Sequence, residues 1–445
     1  MESLVIVIFV LGYLAITLEH KLKIDKLIPA LAMMSLLWAV IALSHLQVFE
    51  VNADLKELEP SDLESLLLHH IGKTSEILIF LIGAMTIVEI IDYFNGFFTI
   101  KNFIKTKKKT KLLWIFGILA FVLSSVIDNL TATIVLITIL QKVVKDRELR
   151  LWFAGIVIIA ANAGGAWSPI GDVTTTMLWI GRKVSSAVLI EHVLIPSIIC
   201  FAVPVLIATQ FNMFKGKIED EVDLSSDNNA SKYGSTMLYL GLGMIVFVPI
   251  FKTVTHLPPY VGMMLSLAVV ATFAEIFSGS KFGVTHIDVE SETAAHHSPV
   301  HHSLGRIELP SILFFLGILM AVAALESLGQ LFHLAEGLNN AIPNTDIVVM
   351  LLGVASAVID NVPLVAAGMG MFSEPLDHPI WHFIAFSAGT GGSMLIIGSA
   401  AGVVAMGMEK IDFFWYVKKI TLLAVAGFVL GSIAFILIRD FILNV

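Results

Sequence analysis

The chain has 445 residues, 57% hydrophobic and only 14% charged; a soluble domain carries about 25% charged residues, so a soluble enzyme and a disordered chain are excluded. Long uninterrupted apolar runs also exclude a β-barrel porin, whose strands alternate apolar and polar. A net charge of −9, from 27 basic and 36 acidic residues, argues against nucleic acid as a partner, and the single cysteine, Cys200, forms no intrachain disulfide.

In chain order, runs long enough to cross roughly 30 Å of hydrocarbon occur at 3–18, 27–46, 75–94, 112–144, 151–186, 188–212, 235–251, 260–277, 309–327, 347–372, 380–408 and 413–438. The first reads as a spanning helix and not a removed signal, because Glu2 precedes it and Glu19-His20-Lys21 follows it. The acidic stretch 47–74 reads as an external loop. The expected fold is an all-α polytopic membrane protein. Four runs are interrupted by polar or glycine-rich motifs. These are Ser124-Ser125-Val126-Ile127-Asp128-Asn129, the stretch Asn162–Asp172 with Gly164-Gly165 and Ser168-Pro169, Ile359-Asp360-Asn361-Val362-Pro363, and Gly389-Thr390-Gly391-Gly392-Ser393.

The interruptions repeat. Val-Ile-Asp-Asn at 126–129 recurs at 358–361, an offset of 232. Gly164-Gly165 and Gly171 recur as Gly391-Gly392 and Gly398, an offset of 227. Two looser matches fall at similar offsets, so the chain reads as two repeats, 1–212 and 235–445, joined by a polar cytoplasmic linker, 213–234. The segment 112–144 has basic clusters on both flanks and two short arms of 16 and 15 residues. It reads as a re-entrant hairpin with Asp128-Asn129 at the tip, and 347–372 as its counterpart. Each repeat then has about five transmembrane spans plus a re-entrant hairpin and an unwound helix. An odd number of spans inverts the second copy. With the N-terminus outside, 21 of the 27 basic residues fall on the cytoplasmic side, as the positive-inside rule asks. The histidines at 286, 296, 297, 301 and 302 read as a mobile polar loop, with a metal or pH-sensing role as the rival.

Irregular backbone at membrane depth survives only when buried in protein or lining a cavity. Secondary transporters use paired breaks in two inverted halves to build a midplane site. Asp128, Asp172 and Asp360 are carboxylates within apolar segments, where charge is costly, and their motifs contain no Lys or Arg. Such a group can hold a proton or exchange it for a cation. Oxygen donors stand beside them: Asn129, Thr131 and Thr133; Asn162, Ser168, Thr174, Thr175 and Thr176; Ser356 and Asn361; Thr390, Ser393 and Ser399. Hard cations such as Na⁺ suit oxygen ligands, whereas an anion site wants Arg, Lys or clustered N–H donors. Each aspartate can alternatively serve as a helix cap, and Glu89 is a proton-path candidate.

Three of these motifs, at 124–133, 162–177 and 356–364, resemble those of the NhaD-type Na⁺/H⁺ antiporters of the ion transporter superfamily. The resemblance runs over nearly the whole chain. It implies an antiporter of the inner (cytoplasmic) membrane that exports Na⁺ or Li⁺ in exchange for protons, with no resident cofactor and no ATPase subunit. It implies that Asp128, Asn129, Asn162, Asp172, Thr174, Thr175, Ser356, Asp360 and Asn361 take part in ion binding or transport, with Thr390 and Ser393 matching a looser motif. Na⁺ is expected at Asp128, Asn129, Asp172, Asp360 and Asn361, with Asn and Thr side chains and loop carbonyls from 163–171 and 389–393 completing coordination; Ser168 is a further ion-binding candidate. The superfamily also implies a homodimer in the lipid bilayer, with a scaffold and a moving part. The alternative is a Na⁺-coupled dicarboxylate or sulfate symporter; Asp-Asn at the hairpin tip disfavours it. A membrane enzyme is not expected, since neither His-Glu-x-x-His nor a nucleotide-binding Gly-x-x-x-x-Gly-Lys motif is present.

Overall fold

The computed structural model describes residues 2–17, 22–52, 57–104, 106–218, 232–278, 298–342, 344–358 and 361–443. The first half runs α1 (Glu2–Thr17), α2 (Leu27–Leu43), a hairpin of β1 (Val48–Asn52) and β2 (Glu57–Ser61), α3 (Leu63–Tyr93), a 3-10 segment (Gly96–Phe103), α4 (Lys109–Ile127), α5 (Asn129–Val143), α6 (Arg147–Ala166), α7 (Val173–Ile180) and α8 (Ser186–Thr209). The second half runs α9 (Gly234–Thr255), α10 (Pro259–Ser278), α11 (Pro299–Leu304), α12 (Leu309–Ser327), α13 (Gln330–Ala341), α14 (Thr345–Ala355), α15 (Asn361–Met371), α16 (Pro379–Gly391), α17 (Ala400–Glu409), α18 (Phe413–Lys419) and α19 (Thr421–Ile438). Eight of the described helices are long and apolar enough to cross a membrane. The protein is a multi-pass, almost wholly helical membrane protein.

The all-α expectation needs one correction. Residues 48–52 and 57–61 form an antiparallel pair, Val48 opposite Ser61 and Asn52 opposite Glu57. Val48 and Phe49 are β-formers, and burial falls from Val48 to the exposed Glu50. A second correction follows it. α3 begins at Leu63, twelve residues before the apolar run does, because Asp62 accepts hydrogen bonds from the backbone N–H of Glu64 and Ser65, each at 3.1 Å. That cap starts a helix in sequence too polar to register as hydrophobic.

The molecule comprises two compact units, each drawing on both sequence halves. One holds residues 79–105 and 222–309, the other 1–78, 106–221 and 310–445. In the smaller unit Tyr233 stacks on Phe277 at 4.4 Å, and Glu89 pairs with Arg306 at 3.6 Å. Glu89 is thus engaged in an ion pair. His302 lies 5.2 Å from Tyr93, ring to ring; His286, His296 and His297 lie outside the described residues.

In the larger unit the breaks stand where the sequence places them. α4 and α5 are the two arms of one hairpin, α14 and α15 those of the other. α6–α7 and α16–α17 are two helices, each interrupted midway. α4 packs along α6, and α14 along α16. These pairs are close enough that glycine is required. A Cβ on Gly164 would sit 2.2 Å from the Phe121 carbonyl oxygen, and one on Gly391 2.0 Å from that of Gly353. Each pair is also fastened at an equivalent place: Ser124 Oγ donates to the Ala161 carbonyl at 2.6 Å, and Ser356 Oγ to that of Ala388 at 2.8 Å.

One end of this unit is tied by an ion pair. Arg150 Nε meets Glu409 Oε2 at 2.7 Å, with the Glu409 side chain 1% exposed. Arg150 also donates to the Val144 carbonyl at 3.1 Å. Removing one partner of such a buried pair costs roughly 3–5 kcal/mol, because the other is left uncompensated. Arg150→Met should therefore lower the melting temperature sharply, while Arg150→Met with Glu409→Leu should recover much of the loss. Melting of the purified single and double variants tests this; equal loss in both would deny the coupling.

Candidate functional site

Three of the four breaks are closed by a short polar residue at the start of the next helix, and these caps are candidate site residues. Asp128 caps α5, its carboxylate accepting from Thr131 N at 2.8 Å and from Thr131 Oγ1 at 2.9 Å. Its backbone has φ of +70°, a conformation an L-residue adopts at a cost of about 1–3 kcal/mol and that recurs at functional sites. Asp172 caps α7. Its carboxylate accepts from Val173 N and from Thr174 Oγ1, both at 2.8 Å. Ser399 caps α17, accepting from Gly402 N at 3.2 Å. Under the offset of 227, Ser399 occupies the position of Asp172.

The caps and hairpin tips meet across the two halves. Asn361, at the tip of the second hairpin, donates through Nδ2 to Asp172 Oδ2 at 2.9 Å. Asn129, at the tip of the first, donates to Asn162 Oδ1 at 3.0 Å. Asn162 in turn donates to Ser399 Oγ at 2.9 Å. All five side chains are buried. Each tip therefore reaches the interrupted helix system that includes the other half: α15 packs on α7, and α5 on α17. The joined groups are amides, hydroxyls and a carboxylate. All offer oxygen, the donor chemistry that suits a hard cation.

The structure forms two bonded sets, Asp172 with Thr174 and Asn361, and Asn129 with Asn162 and Ser399, and holds Asp128 beside Asn129 at the same tip. Asp360 lies outside the described residues. The other candidates turn their hydroxyls elsewhere. Thr175 Oγ1 donates to the Asp172 carbonyl at 2.9 Å. Ser168 Oγ accepts from Ile170 N at 3.4 Å within the break. Ser356 fastens α14 to α16, as given above. Thr390 Oγ1 donates to the Phe386 carbonyl and Ser393 Oγ to that of Thr390, both at 2.6 Å; neither bonds to the cluster. Two residues noted in the sequence only as nearby donors belong closer to it. Ser399 is a direct partner of Asn162. Thr133 Oγ1, one turn beyond the first tip, is buried with no partner among the described residues. The repeat offset is the signal that marks Ser399; for Thr133 only its helical register from Asn129 does so.

Comparison with known proteins agrees with the break motifs. A family profile described as "Citrate transporter" matches residues 6–378. "Sodium/proton antiporter 1" of Arabidopsis thaliana is 42% identical over 97% of this chain and 72% of its own length. "Na(+)/H(+) antiporter NhaD" of Vibrio cholerae is 30% identical over 98% of this chain and 91% of its own. The chain belongs to the citrate transporter family, in its NhaD-type branch. "Sodium/proton antiporter 2" of Arabidopsis thaliana matches end to end, with 40% identity over 98% of this chain and 99% of its own. This NhaD-type chain is thus a transport protein, and the eight long apolar helices among the described residues suit a membrane setting.

Proposed function

We propose that the protein exchanges Na⁺ or Li⁺ from the cytoplasm for external protons across a cell's inner membrane. Protons and cation alternate at a site built from Asp172, Asn361, Asn162, Asn129 and Ser399, with Asp128 and Asp360 at the hairpin tips. Either occupant neutralises the carboxylate, so a loaded site can cross the low-dielectric barrier that a bare charge cannot. Gradients supply the energy, with no ATPase subunit. The two halves are read as inverted repeats, which puts α4–α5 and α14–α15 into the membrane from opposite faces. The protein works as a homodimer. The single observation that carries this reading is the buried bond from Asn361 to Asp172 at 2.9 Å, which sets a hairpin tip against an oxygen-rich helix break. The names of the relatives support it.

A Na⁺-coupled anion symporter is the second reading, favoured by the profile's description as a citrate transporter. Proton flux decides between them. In everted vesicles with a preset pH gradient, added NaCl or LiCl should dissipate the gradient, and a dicarboxylate should not. Na⁺-dependent dicarboxylate uptake without proton movement would replace the exchange reading.

A further inference from the structure

One edge of the larger unit carries a built recess that ion exchange does not use. It has a volume of about 460 Å³ and lies between the start of α6, the turn after α8 and the α18–α19 junction. Trp152, flanked by Phe211 at 5.3 Å and by Trp415 at 5.9 Å between ring centroids, lines its aromatic side. Leu422, 74% exposed, continues the apolar wall outward. The exposed Lys418 and Lys419 also line it, and neither forms an ion pair among the described residues. Lys215 adds a third cation beside it, donating to the lining residue Asn212 at 2.9 Å. The basic run at 107–111 is drawn to the same edge. Ile218 N donates to the Lys107 carbonyl at 2.9 Å, and Thr110 Oγ1 to that of Phe214 at 2.8 Å. A neighbouring recess makes the contrast: its Arg147 and Lys410 are balanced by Glu148 and Asp412.

We propose that this recess binds the phosphate headgroup of an anionic phospholipid, with the acyl chains lying along Leu422. Three features select that occupant. Uncompensated lysines attract a phosphate, and each basic group near an anionic leaflet contributes about 1 kcal/mol. Tryptophan with one apolar and one polar side belongs at headgroup level. Lysines at helix ends extend towards the same level. The basic bias of the loops assigns the edge to the cytoplasmic leaflet. The occupant would join α6, which carries Asn162, to α18 and α19.

The test uses the full chain purified in detergent. Thermal melting is followed with added phosphatidylglycerol, with phosphatidylcholine and with inorganic phosphate, and bound lipid is counted by native mass spectrometry. Phosphatidylglycerol should raise the melting temperature and remain bound. K418Q/K419Q should lose most of the shift and the bound lipid, whereas K418R/K419R should keep both. The single variants K418Q and K419Q, each losing part of the shift, serve if the double variant does not fold. Equal stabilisation by phosphatidylcholine, an equal shift from inorganic phosphate alone, or full retention in the glutamine variants would each overturn the proposal.

Discussion

Asp172→Asn is expected to abolish cation-dependent proton flux while leaving the protein folded. Among the described residues the Asp172 carboxylate accepts hydrogen bonds from Val173 N, Thr174 Oγ1 and Asn361 Nδ2, at 2.8, 2.8 and 2.9 Å. An asparagine retains the shape and one acceptor oxygen, so the cap on α7 survives in part. It cannot exchange a proton for a cation, and it turns an amide towards Asn361 where a carboxylate oxygen stood. Interactions with a charged acceptor contribute roughly 1.5–3 kcal/mol each. Losing even one from a bound cation lowers occupancy about tenfold or more. Thr174→Val, which removes one donor and keeps the charge, should reduce flux less. Both are read in everted vesicles with NaCl pulses, after size-exclusion chromatography has shown a monodisperse protein. Undiminished flux in Asp172→Asn would remove this carboxylate from the ion path.

Gly391→Ala should disrupt the second hairpin's packing more than any nearby alanine substitution. The added methyl would lie 2.0 Å from the Gly353 carbonyl oxygen and 2.7 Å from its carbon. Both are backbone atoms, so no side-chain rotation relieves the clash, and α14 and α16 must separate. Overpacking of this kind costs roughly 1–3 kcal/mol, more where backbone must move. Gly164→Ala, 2.2 Å from the Phe121 carbonyl oxygen, should act alike on α4 and α6. Gly407 is the control: its Cβ would meet nothing within 4 Å, and alanine raises helix propensity there by up to about 1 kcal/mol. Thermal unfolding of the three variants in detergent separates the cases. A Gly391→Ala protein as stable as Gly407→Ala would mean that the two helices are not held this close.

The breaks were legible in the sequence because they violate two rules at once: they put polar residues at membrane depth and interrupt helices there. The hairpin arms at 109–143 and 345–371, the interruption after Ala166 and the one after Gly391 all fall where those violations lie. α3 was legible only in part, since its first turns hold His69, His70 and Lys73, and hydropathy sees no helix in polar sequence. The β-hairpin was missed for a different reason: five-residue strands are too short to stand out against long apolar helices. Within the site, residue type identified oxygen donors but not their aim. Ser356 looks like a ligand in the sequence, yet its hydroxyl is directed at a neighbouring helix carbonyl. Thr390 bonds back to its own helix, a habit of threonine that residue type alone cannot separate from coordination. Ser399 was undervalued because its counterpart is an aspartate, and a hydroxyl draws less notice than a charge.

The crossed bonds at the centre bear on leakage. A membrane protein that lets ions pass short-circuits the gradient the cell maintains if one wall of its pathway can slacken while the other stays put. Here the tip of the second hairpin is held by the first interrupted helix through Asn361 and Asp172, and the tip of the first reaches the second through Asn129, Asn162 and Ser399. Disturbance at one tip is therefore felt by the opposite half, as in a buckle whose two tongues pass through each other. For the exchange proposed above, such a fastening would penalise half-open arrangements, the ones in which an exchanger wastes its driving force.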